Sequence, residues 1–228
     1  MVMGEDFLTY ISKYELHELE AETLPVPVEI LSHTSTLDEV EQSCARLIEE
    51  SSHKVLGFDT ETKPSFTKGI TNQVSLLQLA SPQHVVLVRL FPKLDKELLG
   101  PINKLLKSKR IGKVGVAIQD DAKGLWSAYR LETNHFLDLR ALAKEAGVEV
   151  SSLTKLYAVL YGKRLSKGQR LSDWERPELS DVQVEYAALD AYAGLRIFEG
   201  FRNYFSRDMY QNLEVPKTRQ RKKKNEVL

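Results

Sequence analysis

The sequence predicts an α/β fold in which a mixed β-sheet is flanked by α-helices. Three strand-like apolar runs, Lys54 to Glu61, Val74 to Ala80 and His84 to Leu90, follow one another with only turn-rich segments between them, which suggests antiparallel neighbours. A helical pattern then leads into a further strand, so parallel pairing must join the sheet as well. Beyond that strand the chain reads as mostly helical, enough to cover the sheet.

In chain order, the segment up to Glu22 has the pattern of a short amphipathic helix, which Leu24-Pro25-Val26-Pro27 breaks. An extended stretch follows around Val28 to Leu31. Thr36 and Glu39 match a capping box ahead of a helix carrying Leu37, Val40, Ala45, Leu47 and Ile48. After the three strands a helix is expected around Leu94 to Lys107 and a strand at Ile111 to Ala117. Further helices are expected near Asp121 to Tyr129, Asp138 to Ala146, Ser152 to Tyr161 and Asp181 to Tyr204, with a short extended piece at His135 to Leu137. Ser180 and Gln183 repeat the capping-box pattern before the last of them. The organisation read from this is an N-terminal helical extension (1–27), a main domain (28–206) and a polar tail (207–228) with Lys217, Arg219, Arg221, Lys222, Lys223 and Lys224, more in keeping with a solvated terminus than with a packed element.

The 228 residues are 42% hydrophobic and 28% charged, with 32 basic against 32 acidic side chains. A zero formal charge argues against a protein that holds nucleic acid by bulk charge, although local patches or metal ions could still hold phosphate. The single cysteine, Cys44, has no partner for a disulfide and no companions for a zinc site. With neither a long apolar span nor a leader pattern in view, a cytoplasmic protein without membrane attachment is the expectation.

The most informative chemistry is Asp59-Thr60-Glu61, at the end of Val55-Leu56-Gly57-Phe58. Side chains two apart on a strand share a face, so both carboxylates leave the same side of the sheet. Like charges this close repel unless a cation lies between them, and hard oxygen donors suit Mg²⁺ or Mn²⁺. An isolated Asp-x-Glu pair is ordinarily a solvated strand face, so further acids must converge for a metal site. Asp121 shares a helix face with Leu125, Ala128 and Tyr129, whereas Asp120 is rotated off it and reads as the helix cap. Asp190 lies on a stripe with Gly194, Ile197 and Phe201, and Tyr186 precedes it by one helical turn, so a phenol and a carboxylate can address one point. Each taken singly has an ordinary explanation, a second cap or a satisfied core tyrosine.

The ordered set Asp59-x-Glu61, Asp121 and Tyr186-x-x-x-Asp190 resembles the signature of the DEDD superfamily of 3′-5′ exonucleases, in the subgroup with tyrosine in its third motif. Gly57-Phe58-Asp59-Thr60-Glu61 is similar to the first motif and Val74 to Ala80 to the strand that follows it. Lys113 to Asp121 is similar to the second motif, and Tyr186 to Gly194 to the third motif of the Werner syndrome exonuclease domain and ribonuclease D. The similarity runs from about Val28 to Phe205 and departs from the Werner type at Asp120, where that domain has a small residue.

The resemblance implies a ribonuclease H-like fold with five or so strands, and hydrolysis from the 3′ end of DNA or RNA with two divalent ions, Mg²⁺ or Mn²⁺, about 4 Å apart. Asp59 would bridge both, Glu61 and Asp190 would complete the nucleophile side, Asp121 would hold the second ion, and Tyr186 would orient the water. The nucleic acid would be single-stranded or have a recessed 3′ end. Lys163, Arg164, Lys167 and Arg170, in a glycine-containing loop before the third motif, could contact its backbone, and Phe66 could stack on the terminal base, although a core or turn role is the commoner one for such an aromatic. Trp174 reads as packing. A catalytically silent nucleic-acid-binding or scaffold protein on the same fold is the rival reading. It would be expected to lack one or more of the acids, and all five positions are filled.

Overall fold

The computed structural model describes residues 16–148 and 152–202. Six strands, β1 (Val28–Leu31), β2 (Val55–Thr62), β3 (Val74–Ala80), β4 (Val85–Arg89), β5 (Gly112–Gly115) and β6 (Phe136–Asp138), form one sheet in the order β1-β4-β3-β2-β5-β6. The pairs β2–β3 and β3–β4 are antiparallel, as the three consecutive runs predict, while β1–β4, β2–β5 and β5–β6 are parallel. The helices are α1 (Leu37–Glu50), α2 (Lys96–Leu106), α3 (Gln119–Tyr129), α4 (Leu139–Glu145), α5 (Leu153–Tyr161) and α6 (Asp181–Arg202). The mixed sheet between two helical layers is the α/β architecture expected, with six strands where five or so were anticipated.

Alternation along the strands divides the core. Leu56 and Phe58 of β2 join Leu77, Leu79, Val86 and Val88 against α1, α2 and α3. Val55 of β2, with Leu76, Ala80, Val85, Leu87 and Val114, faces α4, α5 and α6. Asp59 and Glu61 therefore stand on the α6 side and Thr60 on the other. Both layers are set by local signals: Thr36 and Glu39 close a reciprocal capping box at the start of α1, and Ser180 and Gln183 make the same pair of bonds, 3.4 and 3.1 Å, at the start of α6.

The central contact is α6 lying directly on β2. A Cβ added at Gly57 would fall 2.0 Å from the backbone oxygen of Ala191, so only glycine lets the helix approach this far. Gly57→Ala must push helix and sheet apart, and the expected loss is on the order of 3 kcal/mol, read as a lower urea midpoint at unchanged slope. An unchanged midpoint would show that the two layers can separate without cost.

Three boundaries differ from expectation. β5 stops at Gly115 instead of Ala117 because Ala117 adopts φ +64° and its N–H turns to Asp138 Oδ1 at 3.3 Å. Consequently α3 begins at Gln119, and its N-cap is Ile118. Asp120 is not the cap: it sits exposed in the first turn, paired with Lys123 at 2.7 Å. At the N-terminus, residues 1–15 of the anticipated helix lie outside the described residues; Leu16–Glu18 form one 3-10 turn and Ala21 pairs in parallel with Arg164. Residues 207–228 also lie outside. Among the described residues no helix is long and apolar enough to cross a membrane.

Candidate active site

The five residues singled out by their spacing come together where β2, α3 and α6 meet. Asp59 and Glu61 project from the end of β2, where a register irregularity between Glu61 and Thr62 disturbs the ladder with β3. The close approach at Gly57 brings Ala191, and with it Asp190, over the strand. Tyr186, one turn earlier, hydrogen-bonds to the Asp190 carboxylate. From the opposite face, Thr60 Oγ1 donates to Asp121 Oδ1 at 2.5 Å, holding the first turn of α3 against β2. The strand thus presents two acids on one face and grips a third from the other.

Electrostatically the cluster is strained. Burial and then the charges of Asp190, Asp121 and Glu61 push the Asp59 carboxyl well above its usual range. Burial, Asp190 and Asp121 raise Glu61 to about 8, and burial raises Asp190 to about 7 against the lowering effect of the Tyr186 bond. Asp121 is raised by burial and partly relieved by Thr60. Every charge named as acting on Asp59 is negative, and hard oxygen donors in such a field suit a divalent cation. Among the described residues no three His, Cys, Asp or Glu side chains already close around one point as metal ligands do. Tyr186, half-buried beside Asp190 and Glu61, is held protonated far above neutrality, first by burial and then by those carboxylates. Its hydroxyl is a hydrogen-bond donor and not a base.

A cleft of about 270 Å³ opens beside the cluster, lined by Asp59, Asp190 and Tyr186 together with Lys167, Arg170, Ser166 and Thr154. Lys167 and Arg170 therefore reach the site. Lys163 and Arg164 do not line this cleft: Lys163 pairs with Glu22 at 3.0 Å and Arg164 Nε donates to the Leu19 carbonyl at 2.9 Å. Phe66 is 86% exposed on the segment after β2, neither in the core nor in the cleft lining.

Two basic residues passed over in the sequence fix the surroundings. Arg89, the polar end of an apolar strand, donates to the carbonyls of Arg176 and Pro177, and Lys63 pairs with Asp173 at 2.9 Å and Glu175 at 3.7 Å. Between these anchors Trp174 is fully buried, its ring 6.1 Å from that of Tyr186, so its packing role bears on the tyrosine. A charge terminating a buried strand was the available signal for Arg89; Lys63 carried none.

The Thr60 bond yields a direct test. Thr60→Val keeps the shape of the side chain but frees Asp121, and a roughly tenfold fall in metal-dependent turnover is expected, with Thr60→Ser restoring most of it. Equal turnover in all three proteins would mean that Asp121 needs no such hold.

A mixed sheet with helices on both faces and a carboxylate cluster at the end of its central strand defines the ribonuclease H-like class. The chain belongs to the 3′-5′ exonuclease family of the DEDD superfamily: the model of that 3′-5′ exonuclease domain matches residues 33–205. It is 33% identical over 203 residues to mouse exonuclease 3′-5′ domain-containing protein 2, covering 84% of this chain and 30% of that protein. It is 32% identical over 159 residues to the mouse bifunctional 3′-5′ exonuclease/ATP-dependent helicase WRN, covering 65% of this chain and 11% of that one. The chain thus spans under a third of the length of either relative. Among solved structures, the Aedes aegypti Nibbler EXO domain superposes with a TM-score of 0.72 at 23% identity over 85% of this chain and 99% of that domain. Trypanosoma brucei ribonuclease D in complex with RNA U12 gives 0.65 at 18% identity, over 78% and 63%.

Proposed function

We propose that this chain is a metal-dependent 3′-5′ exonuclease that removes nucleotides from single-stranded or recessed 3′ ends of DNA or RNA. The observation that carries this is the meeting of Asp59, Glu61, Asp121, Asp190 and Tyr186 beside a cleft whose lining includes Lys167 and Arg170. The four carboxylates would hold Mg²⁺ or Mn²⁺, since their donors are hard oxygens with no cation among the charges acting on the innermost acid. When bound, the ions supply positive charge that offsets the phosphate and lowers the barrier to attack by water.

The chain's own residues do the rest. Lys167 and Arg170 hold backbone phosphate in the cleft. Tyr186, kept protonated, spends its one O–H on Asp190, and its oxygen accepts from the attacking water and so fixes the line of attack. Asp190 accepts from Tyr186 and sets its rotamer. Water adds to phosphorus and gives up a proton to solvent, the bond from phosphorus to the 3′ oxygen breaks, and that oxygen takes a proton from solvent and leaves as a hydroxyl, releasing a 5′-nucleotide. Phe66, exposed on the segment after β2, is the aromatic that would stack on a terminal base.

Oligonucleotides labelled at the 5′ end, DNA and RNA, single-stranded, recessed and blunt, test this directly. Stepwise shortening with Mn²⁺ or Mg²⁺ and none with chelator is expected. Intact strands that nevertheless bind the protein would establish the catalytically silent reading instead.

A further inference from the structure

The basic residues just before the cleft wall engage a segment N-terminal to the sheet. Gly162, at φ +65°, ends α5 and turns the chain so that 163–165 run beside residues 19–23. Arg164 N–H donates to the Glu20 carbonyl and the Glu22 N–H to the Arg164 carbonyl, both at 2.9 Å. The Glu22 carboxylate accepts from Tyr157 Oη at 2.7 Å and from Lys163 Nζ at 3.0 Å, with its side chain only 16% exposed. Leu165 is then buried in the core, 4% exposed, and the next residues, Ser166, Lys167 and Arg170, line the cleft. One carboxylate therefore ties helix α5, which supplies Thr154 to the cleft, to the start of the loop that supplies both cations.

We propose that residues 19–23, centred on Glu22, are a positioning strap that holds the cationic wall of the cleft at the distance a nucleic-acid backbone requires. Lys163 and Arg164 act through this strap and touch no substrate. The strap fixes Lys167 and Arg170 before substrate arrives, which reduces the ordering cost of binding. It acts on binding and not on the chemical step, because it contacts none of Asp59, Glu61, Asp121, Asp190 or Tyr186. The inference rests on the cleft being the binding site for a nucleic-acid 3′ end.

The test is a double-mutant cycle on single-stranded oligonucleotide, with Mn²⁺. Glu22→Ala is expected to raise KM about fivefold, leave kcat within about twofold, and flatten the salt dependence of KM. Introduced into a Lys167→Ala/Arg170→Ala protein, the same change should add nothing further, since the groups it positions are gone. Glu22→Gln, whose one oxygen still accepts from Lys163 while its amide N–H can turn to the Tyr157 oxygen, should recover part of the loss. Circular dichroism and a thermal melt identify any variant that fails to fold, in which case Lys163→Met replaces it in the cycle. An unchanged KM in folded Glu22→Ala, or equal rises in both backgrounds, overturns the strap while leaving the exonuclease reading intact. If the unmodified protein binds without cleaving, Kd takes the place of KM; if it neither binds nor cleaves, the site reading falls and takes the strap with it.

Discussion

Asp59→Asn and Asp190→Asn are each expected to cut Mn²⁺-supported 3′-end shortening at least a thousandfold and, at the same time, to raise the melting temperature of the metal-free protein. Loss of activity follows because each substitution removes an anionic oxygen from the four-acid cluster and weakens the hold on cations that must offset phosphate charge. The gain in stability follows from the direction of the shifts. Burial and like charges hold Asp59 well above its usual range, and burial holds Asp190 at about 7, so ionising either in the folded, metal-free chain costs free energy that the unfolded chain does not incur. An amide of the same shape removes that cost. A site acid that weakens the fold for the sake of chemistry is the trade-off expected of catalytic residues. Activity within tenfold of the starting protein would remove both acids from the mechanism, and a lower melting temperature in both variants would mean that they serve the fold.

The second large effect is the dependence of stability on pH and metal. Glu61 is raised to about 8 and Asp190 to about 7, against unfolded values of roughly 4. Across that window the folded chain binds more protons than the unfolded one, so these groups make stability fall as pH rises from about 4 through about 8. Without metal, the melting temperature should therefore decline from pH 5 to pH 8. Mn²⁺ at a hundred times its pH 8 dissociation constant should add about 2.7 kcal/mol at that pH, a rise of roughly 5–10 °C for a domain of this size, and the same concentration should add less at pH 5 because the ion competes with protons for the same oxygens. In Asp190→Asn both the pH slope and the metal response should shrink together. A metal-free melting temperature that climbs over this range would contradict the electrostatic account of the cluster.

Much of the architecture was legible residue by residue. The strand β3 was expected at Val74 to Ala80 and is found there, because a run in which six of seven residues are apolar or small, between turn signals, leaves little choice. Both capping boxes were readable because their partners lie three residues apart. Pairings such as β1 with β4 were not readable, since partners more than fifty residues apart leave no local mark. Asp120 was misread as a cap because the abrupt end of β5 depends on Ala117 turning toward Asp138, over twenty residues ahead.

For the candidate site the division is sharper. The acids and Tyr186 could be proposed from period alone, since a strand repeats every two residues and a helix every three to four, and those periods say which side chains share a face. The two basic pairs of the loop could not be told apart in the same way. Lys163, Arg164, Lys167 and Arg170 look alike along the chain, yet the first two engage residues 19–22 and the last two line the cleft. What the sequence by itself determined is which side chains are candidates for the chemistry and which way each faces on its own element. Only the tertiary structure decided which of them meet, because a contact such as Gly57 against Ala191 or Glu22 against Tyr157 depends on the packing of distant segments, to which no local period refers.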